Sequence, residues 1–206
     1  MQAMEPDLKR IFSRFDAEGS FLEGKQFGPG HIHDTYRIIT AEAACDNYIL
    51  QRLNSNVFKN IPALQENMER VTAHLAGKIA EIPGSNVKRE CLTLIPDRET
   101  GRSFITDDEG RYWRMFIFIS DHRSYERVDN SHKAFEGGRI IGRFQALLAD
   151  LPGKPLHETI PDFHNIAKRL GTFHDVLGRD PAGRAASVSR EIEGITSREE
   201  EMKTIL

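Results

Sequence analysis

Two alternating segments joined by a glycine turn, Gln26-Phe-Gly-Pro-Gly-His-Ile-His-Asp-Thr-Tyr-Arg-Ile-Ile39, and a third apolar run, Tyr48-Ile-Leu-Gln-Arg52, constrain this chain more than any other feature. The pattern reads strand, glycine loop, strand, strand. Glycine reaches positive φ and carries no side chain, so a turn holding Gly28 and Gly30 can bring backbone amides against phosphate oxygens. The same turn also serves an ordinary hairpin, where glycine is equally at home.

Composition bounds what such a sheet belongs to. The 206 residues are 39% hydrophobic and 29% charged, enough for a core and too polar for a membrane-embedded protein. No apolar run approaches the roughly 18 residues of a spanning helix. Met1-Gln-Ala-Met-Glu-Pro6 lacks the basic start and apolar stretch of a signal peptide, so a cytoplasmic address is expected by default. Twenty-eight basic and 31 acidic residues, well mixed, leave a formal charge of −3 and no electrostatic footprint for nucleic acid. Cys45 and Cys91 are too few for a disulfide framework or a zinc site without His partners, and buried free thiols are expected. Neither opens a Cys-x-Pro-x-Arg pattern, which excludes sulfatase chemistry at a cysteine.

Periodicity places the elements. Leu8, Ile11, Phe12 and Phe15 predict an amphipathic helix over 5–16, ending near Gly19, and three strands follow around the glycine loop. Asn60 and Pro62 open a long helix whose Leu64, Met68, Val71, Leu75 and Ile79 form one stripe, ending near Pro83 and Gly84. Residues 92–95, 103–105 and 111–119 read as a three-strand meander with turns at 98–101 and 107–110. Beyond Ser120 the pattern is helical. Ile140, Ile141, Phe144, Leu147, Leu148 and Leu151 face one way between 132 and 151, where Gly137, Gly138 and Gly142 offer close approach of another backbone. A second helix over 162–177 buries Phe163, Ile166, Ala167, Leu170, His174 and Leu177. A sheet-rich lobe, 1–120, is therefore expected before a helical segment, 121–206. Ser197-Arg-Glu-Glu200 reads as a capping box under an acidic first turn, with Met202, Ile205 and Leu206 as an apolar stripe. A helix started so late is marginal alone, and the chain is expected to be the N-terminal part of a longer protein.

The glycine segment, Tyr48-Ile-Leu-Gln-Arg-Leu-Asn54 and Asn56-Val-Phe-Lys-Asn60 together resemble the nucleotide lobe of the aminoglycoside phosphotransferase and choline kinase superfamily, and within it the N-acetylhexosamine 1-kinase group. The resemblance continues through Tyr112-Trp-Arg-Met-Phe-Ile-Phe-Ile119, Ala134-Phe-Glu-Gly-Gly-Arg-Ile-Ile-Gly-Arg-Phe144, Ile160-Pro-Asp-Phe-His-Asn165 and Asp180-Pro-Ala-Gly-Arg184, covering nearly the whole chain. It implies an α+β fold: a protein-kinase-like nucleotide lobe with a five- to six-stranded antiparallel sheet plus helices, then the start of a helical lobe. It also implies ATP and Mg2+ as cofactors and transfer of the γ-phosphoryl group to a hydroxyl of an N-acetylhexosamine or related sugar. In such kinases a His-x-Asp is followed by Asn and later by a metal-binding Asp. After His174-Asp175 no Asn stands at the required distance, and Asp175 falls within a helical pattern. No catalytic residue is therefore expected among these 206, and the chain alone is expected to be inactive.

The resemblance sets Gly28, Gly30, His31, Asp34 and Thr35 at the phosphate loop, and Phe118 and Ile119 where a hinge offers backbone hydrogen bonds to adenine. His164 and Asn165 are family hallmarks with a substrate-side or a structural role. The basic residue that such kinases carry on the third strand aligns with Gln51, with Arg52 beside it. Successive strand residues point to opposite faces, so Arg52 serves only if the register slips or its side chain wraps the edge; otherwise it is a solvent-facing arginine. Neither Glu66 nor Glu69 is well aimed to pair with it. His31, His33 and Asp34 could be taken for a metal cluster, but phosphate-loop contact or hairpin polarity accounts for them better. Asp34 and Thr35 can also bond loop amides and stiffen the turn. Gln51 in the place of a basic residue favours a second reading, a non-catalytic nucleotide-binding or interaction module.

Overall fold

The computed structural model describes residues 6–28, 30, 32–125 and 127–204. In chain order they form α1 (Leu8–Ser13), β1 (Phe21–Gln26), β2 (Asp34–Thr40), β3 (Tyr48–Arg52), α2 (Ile61–Ala80), α3 (Val87–Glu90), β4 (Leu94–Ile95), β5 (Ile105–Thr106), β6 (Tyr112–Ile117), α4 (Ser131–Leu148), α5 (Ile166–Arg179), a 3-10 turn (Ala185–Val188), α6 (Ser189–Thr196) and α7 (Glu199–Lys203). The fold is α+β, built on an open six-stranded antiparallel sheet. Two compact units divide the chain at 159/160, later than the lobe boundary expected near 121. Among the described residues no helix is long and apolar enough to cross a membrane.

In the first unit the strands run β1-β2-β3-β6-β4, with β5 also paired to β6. The expected meander is not formed. Both β4 and β5 lie on the edge of β6 that β3 leaves free, at Met115–Phe116 and Tyr112–Trp113 respectively, and do not pair with each other. The segment between them is held elsewhere: Asp16 N–H donates to Pro96 O at 2.8 Å and Arg98 N–H to Arg14 O at 2.9 Å. That pairing also ends α1 at Ser13, earlier than its apolar stripe suggests, because Phe15 bridges Asp97.

One face of the sheet carries the core. Ile38, Tyr48, Leu50, Trp113, Met115 and Ile117 pack with Ile11, Phe12 and Phe15. Full burial of such side chains contributes about 1.5–3 kcal/mol each. Trp113 brings a polar handle with it, and its indole N–H donates to Asp107 Oδ2 at 2.8 Å.

On the other flank Asn60 caps α2, its side chain accepting from Ala63 N–H at 3.1 Å, and Pro62 occupies the first turn. The helix buries Ile61, Ala63, Gln65, Leu75 and Ile79, so its first turns present Gln65 where a stripe through Leu64 was expected. Leu75, Ile79 and Cys91 form a second cluster, onto which Leu147 and Leu148 of α4 pack. Residues 152–157 then fasten to the flank of α2. Arg70 donates to Pro152 O at 3.1 Å and Lys154 O at 2.6 Å, while Asn67 and His157 exchange two hydrogen bonds, of 2.8 and 2.9 Å. These bonds carry the first unit past 121. The rest of the α4 stripe is not covered, Ile140 and Ile141 being 60% and 61% exposed. A Cβ at Gly137, Gly138 or Gly142 would meet open space, so the close backbone approach expected there is not made.

In the second unit α5 starts at Ile166 and not at 162, because Asp162 takes φ 59 and Asn165 serves as the N-cap, accepting from Lys168 N–H at 3.0 Å. Of the expected stripe only Leu170 is buried, and His174 reaches out to Glu199 at 2.9 Å. The capping box at Ser197 does not form. Ser197 keeps helical angles (φ −67, ψ −18) as the C-cap of α6, whereas an N-cap needs a non-helical backbone. The acidic first turn of α7 is present; Ile205 and Leu206 lie outside the described residues.

Candidate functional site

Pairing registers decide which side chains meet. In antiparallel strands opposite residues share a face. The rows Arg37–Ile49–Phe116 and Thr35–Gln51–Arg114 therefore lie on the face away from the core, and Asp34–Arg52–Trp113 on the core face.

The β1–β2 turn joins Gln26 to Asp34 at one end of the sheet. Phe27 N–H donates to Thr35 O at 2.8 Å, pinning its neck. Gly28 sits at φ 74, where a side chain is strained. A Cβ on Gly30 would come within 3.2 Å of the His33 carbonyl and 3.9 Å of Thr35 Oγ1, so the turn folds back on the start of β2. His31, placed in the loop by sequence, lies outside the described residues. His33 stacks on Phe58 at 5.4 Å, and its Nδ1 accepts from Asn54 N–H at 3.1 Å, which leaves the proton on Nε2. Burial first, and the charge of Arg114 second, hold its imidazole below the usual histidine range.

Asp34 and Thr35 do not bond loop amides among the described residues. Asp34 accepts from Arg52 Nε at 2.7 Å. Thr35 Oγ1 accepts from Gln51 Nε2 at 3.0 Å. Arg52 is thus placed on the core face, paired with Asp34 and 6.0 Å above the Trp113 ring, with no slip of register. With Asp34, Asn54, Asn56 and Arg111 it lines a polar cavity of about 480 Å³.

A different cavity, about 380 Å³ and mostly apolar, opens on the opposite face between Phe27, Ile49, Leu92, Phe116, Phe118, Ile119, Arg89 and His122. It brings Phe118 and Ile119 together with the neck of the glycine turn. Phe27 meets Phe118 edge-on at 5.6 Å, and the Arg37 guanidinium lies 4.2 Å over the Phe118 ring. Phe118 N–H is taken by Asn47 O at 2.8 Å, and Ile119 O accepts from His122 Nδ1 at 2.6 Å. Neither the Phe118 carbonyl nor the Ile119 amide has a partner among the described residues.

One strand row along the same face sits a group that sequence reasoning missed. Arg114 Nε donates to Gln51 Oε1 at 3.0 Å and Nη1 to Gln65 Oε1 at 3.2 Å. Gln65 passes the link on, its Nε2 within 3.2 Å of both Ser103 O and Ser103 Oγ. Sheet and α2 are therefore joined by glutamines and an arginine. Glu66 is engaged by Lys154 and His157, and Glu69 by Ser103 N–H at 3.3 Å. The signal in the sequence was a charged residue flanked by Trp113 and Met115 in an otherwise apolar strand.

His164 and Asn165 stand just before α5, not in its first turn. His164 meets Phe163 edge-on at 4.7 Å, and Asn165 is spent on the cap. Among the described residues no group of three or more His, Cys, Asp or Glu side chains is arranged to hold a metal ion. No protein-family model matches the sequence.

Proposed function

We propose that the sheet-bearing unit binds a purine nucleotide and is the nucleotide lobe, protein-kinase-like in plan, of an ATP- and Mg2+-dependent phosphotransferase acting on a hydroxyl of an N-acetylhexosamine or related sugar. The observation that carries this is the apolar cavity of Ile49, Phe116 and Phe118 beside the neck of the glycine turn, with the Ile119 amide and the Phe118 carbonyl at its rim unpartnered among the described residues. Apolar walls with a few placed polar groups suit a planar base. The Thr35–Gln51–Arg114 row lies two residues along the strands, about 6.6 Å, toward the turn, where phosphates of the same nucleotide would fall. The sugar and the phosphoryl transfer itself rest on the sequence resemblance, and the cytoplasmic address on the N-terminal sequence pattern. In that reading positioning and charge neutralisation carry the chemistry, and the proton-accepting Asp and metal ligands lie outside these residues.

Amide NMR of the chain under titration with ADP tests the reading. Joint shifts at Gly28, Gly30 and Thr35 and at Met115 to Ile119 are expected; silence at both groups would remove the nucleotide. Gln51 keeps the non-catalytic module in view, and nucleotide binding without turnover by a longer chain would favour it.

A further inference from the structure

Arg114 is a buried charge whose partners among the described residues are neutral. It is 9% exposed, and no carboxylate of the described residues lies within ion-pair distance. Its two hydrogen bonds end on neutral amide oxygens, those of Gln51 and Gln65. A guanidinium carries five N–H donors, so donors remain over. Desolvating an unpaired cation is costly, and burial alone drags this guanidinium down to about 10, which still leaves it protonated at neutral pH. Of the neighbouring cations, Arg52 pairs with Asp34, Arg111 with Asp107 and Lys25 with Glu23, while Arg37 lies on the Phe118 ring one row along the same face, its Nε buried and unbonded among the described residues. No Arg114 nitrogen is both buried and unbonded, so the donor left over reaches solvent, where an anion can supply the countercharge that the described residues do not.

Position says which anion. Two hydrogen bonds run from Thr35 Oγ1 through Gln51 to the Arg114 guanidinium, and Thr35 Oγ1 lies 3.9 Å from where a Cβ on Gly30 would stand. Arg114 therefore lies on the same row as Thr35 at the start of β2 and one row from the apolar cavity. We propose that Arg114 of β6 is the cation that binds the nucleotide's phosphates, taking the place of the basic β3 residue for which Gln51 stands, while Gln51 and Gln65 aim its guanidinium. This rests on the purine reading of the adjoining cavity.

Calorimetric titration of the 206-residue chain with adenosine, ADP and inorganic tripolyphosphate, without divalent ions, tests it in the wild type, Arg114→Met and Gln51→Glu. The last variant sets a carboxylate against the guanidinium, and so silences it without removing it. ADP is expected to bind about tenfold or more tighter than adenosine in the wild type, the scale of a charged hydrogen bond. Both variants should bring ADP down to the adenosine level and leave adenosine unchanged, and tripolyphosphate should bind the wild type only. If Arg114→Met does not fold, Gln51→Glu carries the test. A preference for ADP that survives Gln51→Glu overturns the role of Arg114 and leaves the purine site standing. Tripolyphosphate binding that needs Arg114, with no binding of adenosine, keeps the anion site and overturns the purine reading. Absence of any Arg114-dependent binding of ADP or tripolyphosphate overturns the proposal.

Discussion

Arg114 and Gln51 face each other directly across the β3–β6 ladder, and the guanidinium donates to the glutamine oxygen at 3.0 Å, so β3 meets this cation with a neutral amide while its own charge, Arg52, lies on the other face. The same guanidinium reaches α2 through Gln65, so helix and sheet share one cation.

That sharing gives Gln65 a structural role out of proportion to a polar helix residue. Gln65→Leu would strip Arg114 Nη1 and Ser103 of their partner inside the protein. The expected loss is about 1–3 kcal/mol of unfolding free energy, the cost of leaving buried polar groups unpaired. Urea denaturation measures it; a loss well under 1 kcal/mol would mean that water replaces the glutamine.

Asp107 ties the turn before β6 to the core. Burial raises its carboxyl, but hydrogen bonds from Trp113, from Arg111 and from the Glu109 amide outweigh that and hold it below the usual range. A depressed folded value means that this stability is fully present above the unfolded value, about 3.9, and is lost as pH falls through the folded one. Stability should therefore decline below about pH 4, and Asp107→Asn should flatten that decline. Thermal unfolding of both forms from pH 3 to pH 7 checks the sign.

Gly28 is where the turn asks for a left-handed backbone. Gly28→Ala is expected to cost about 1–2 kcal/mol, the penalty for an L-residue at positive φ. Since its Cβ meets open space, no clash adds to this. Chemical denaturation gives the magnitude, and a neutral result would show that the turn has relaxed.

Arg52 and Phe116 separate the two faces of the sheet. Phe116→Asp, which puts a charge into the apolar cavity, should abolish adenosine binding. Arg52→Ala removes a partly exposed ion pair with Asp34 and should cost under about 1 kcal/mol of stability. Its effect on ADP affinity should stay within about twofold, less than the charged hydrogen bond sought at Arg114. Calorimetry on both variants decides; a larger loss at Arg52 would move the phosphates to the cavity it lines.

Much of this was legible from local pattern. The glycine segment 26–39 and the apolar run 48–52 marked β2 and β3, since a strand pattern needs no partner to be read. Asn60 and Pro62 marked the start of α2 because capping is settled within one turn. What failed were inferences that depend on which element lies alongside: β4 and β5 as a meander, Ser197 as a cap, and close backbone approach at the α4 glycines. Each was undone by competition for the same backbone or the same surface. Residues 14–16 took the hydrogen bonds of 96–98, α6 ran into the residue that was to cap α7, and only the end of α4 met a neighbour.

The sequence by itself determined the strand–glycine–strand hairpin, the long capped helix and the apolar strand that leads into Phe118 and Ile119, because these depend on residues near one another in the chain. Only the tertiary structure decided that Arg52 turns to the core face and that Arg114 lies against Gln51 and Gln65. The register that brings residue 114 opposite residue 51 is set by two sheet faces packing at once, and no local spacing encodes it.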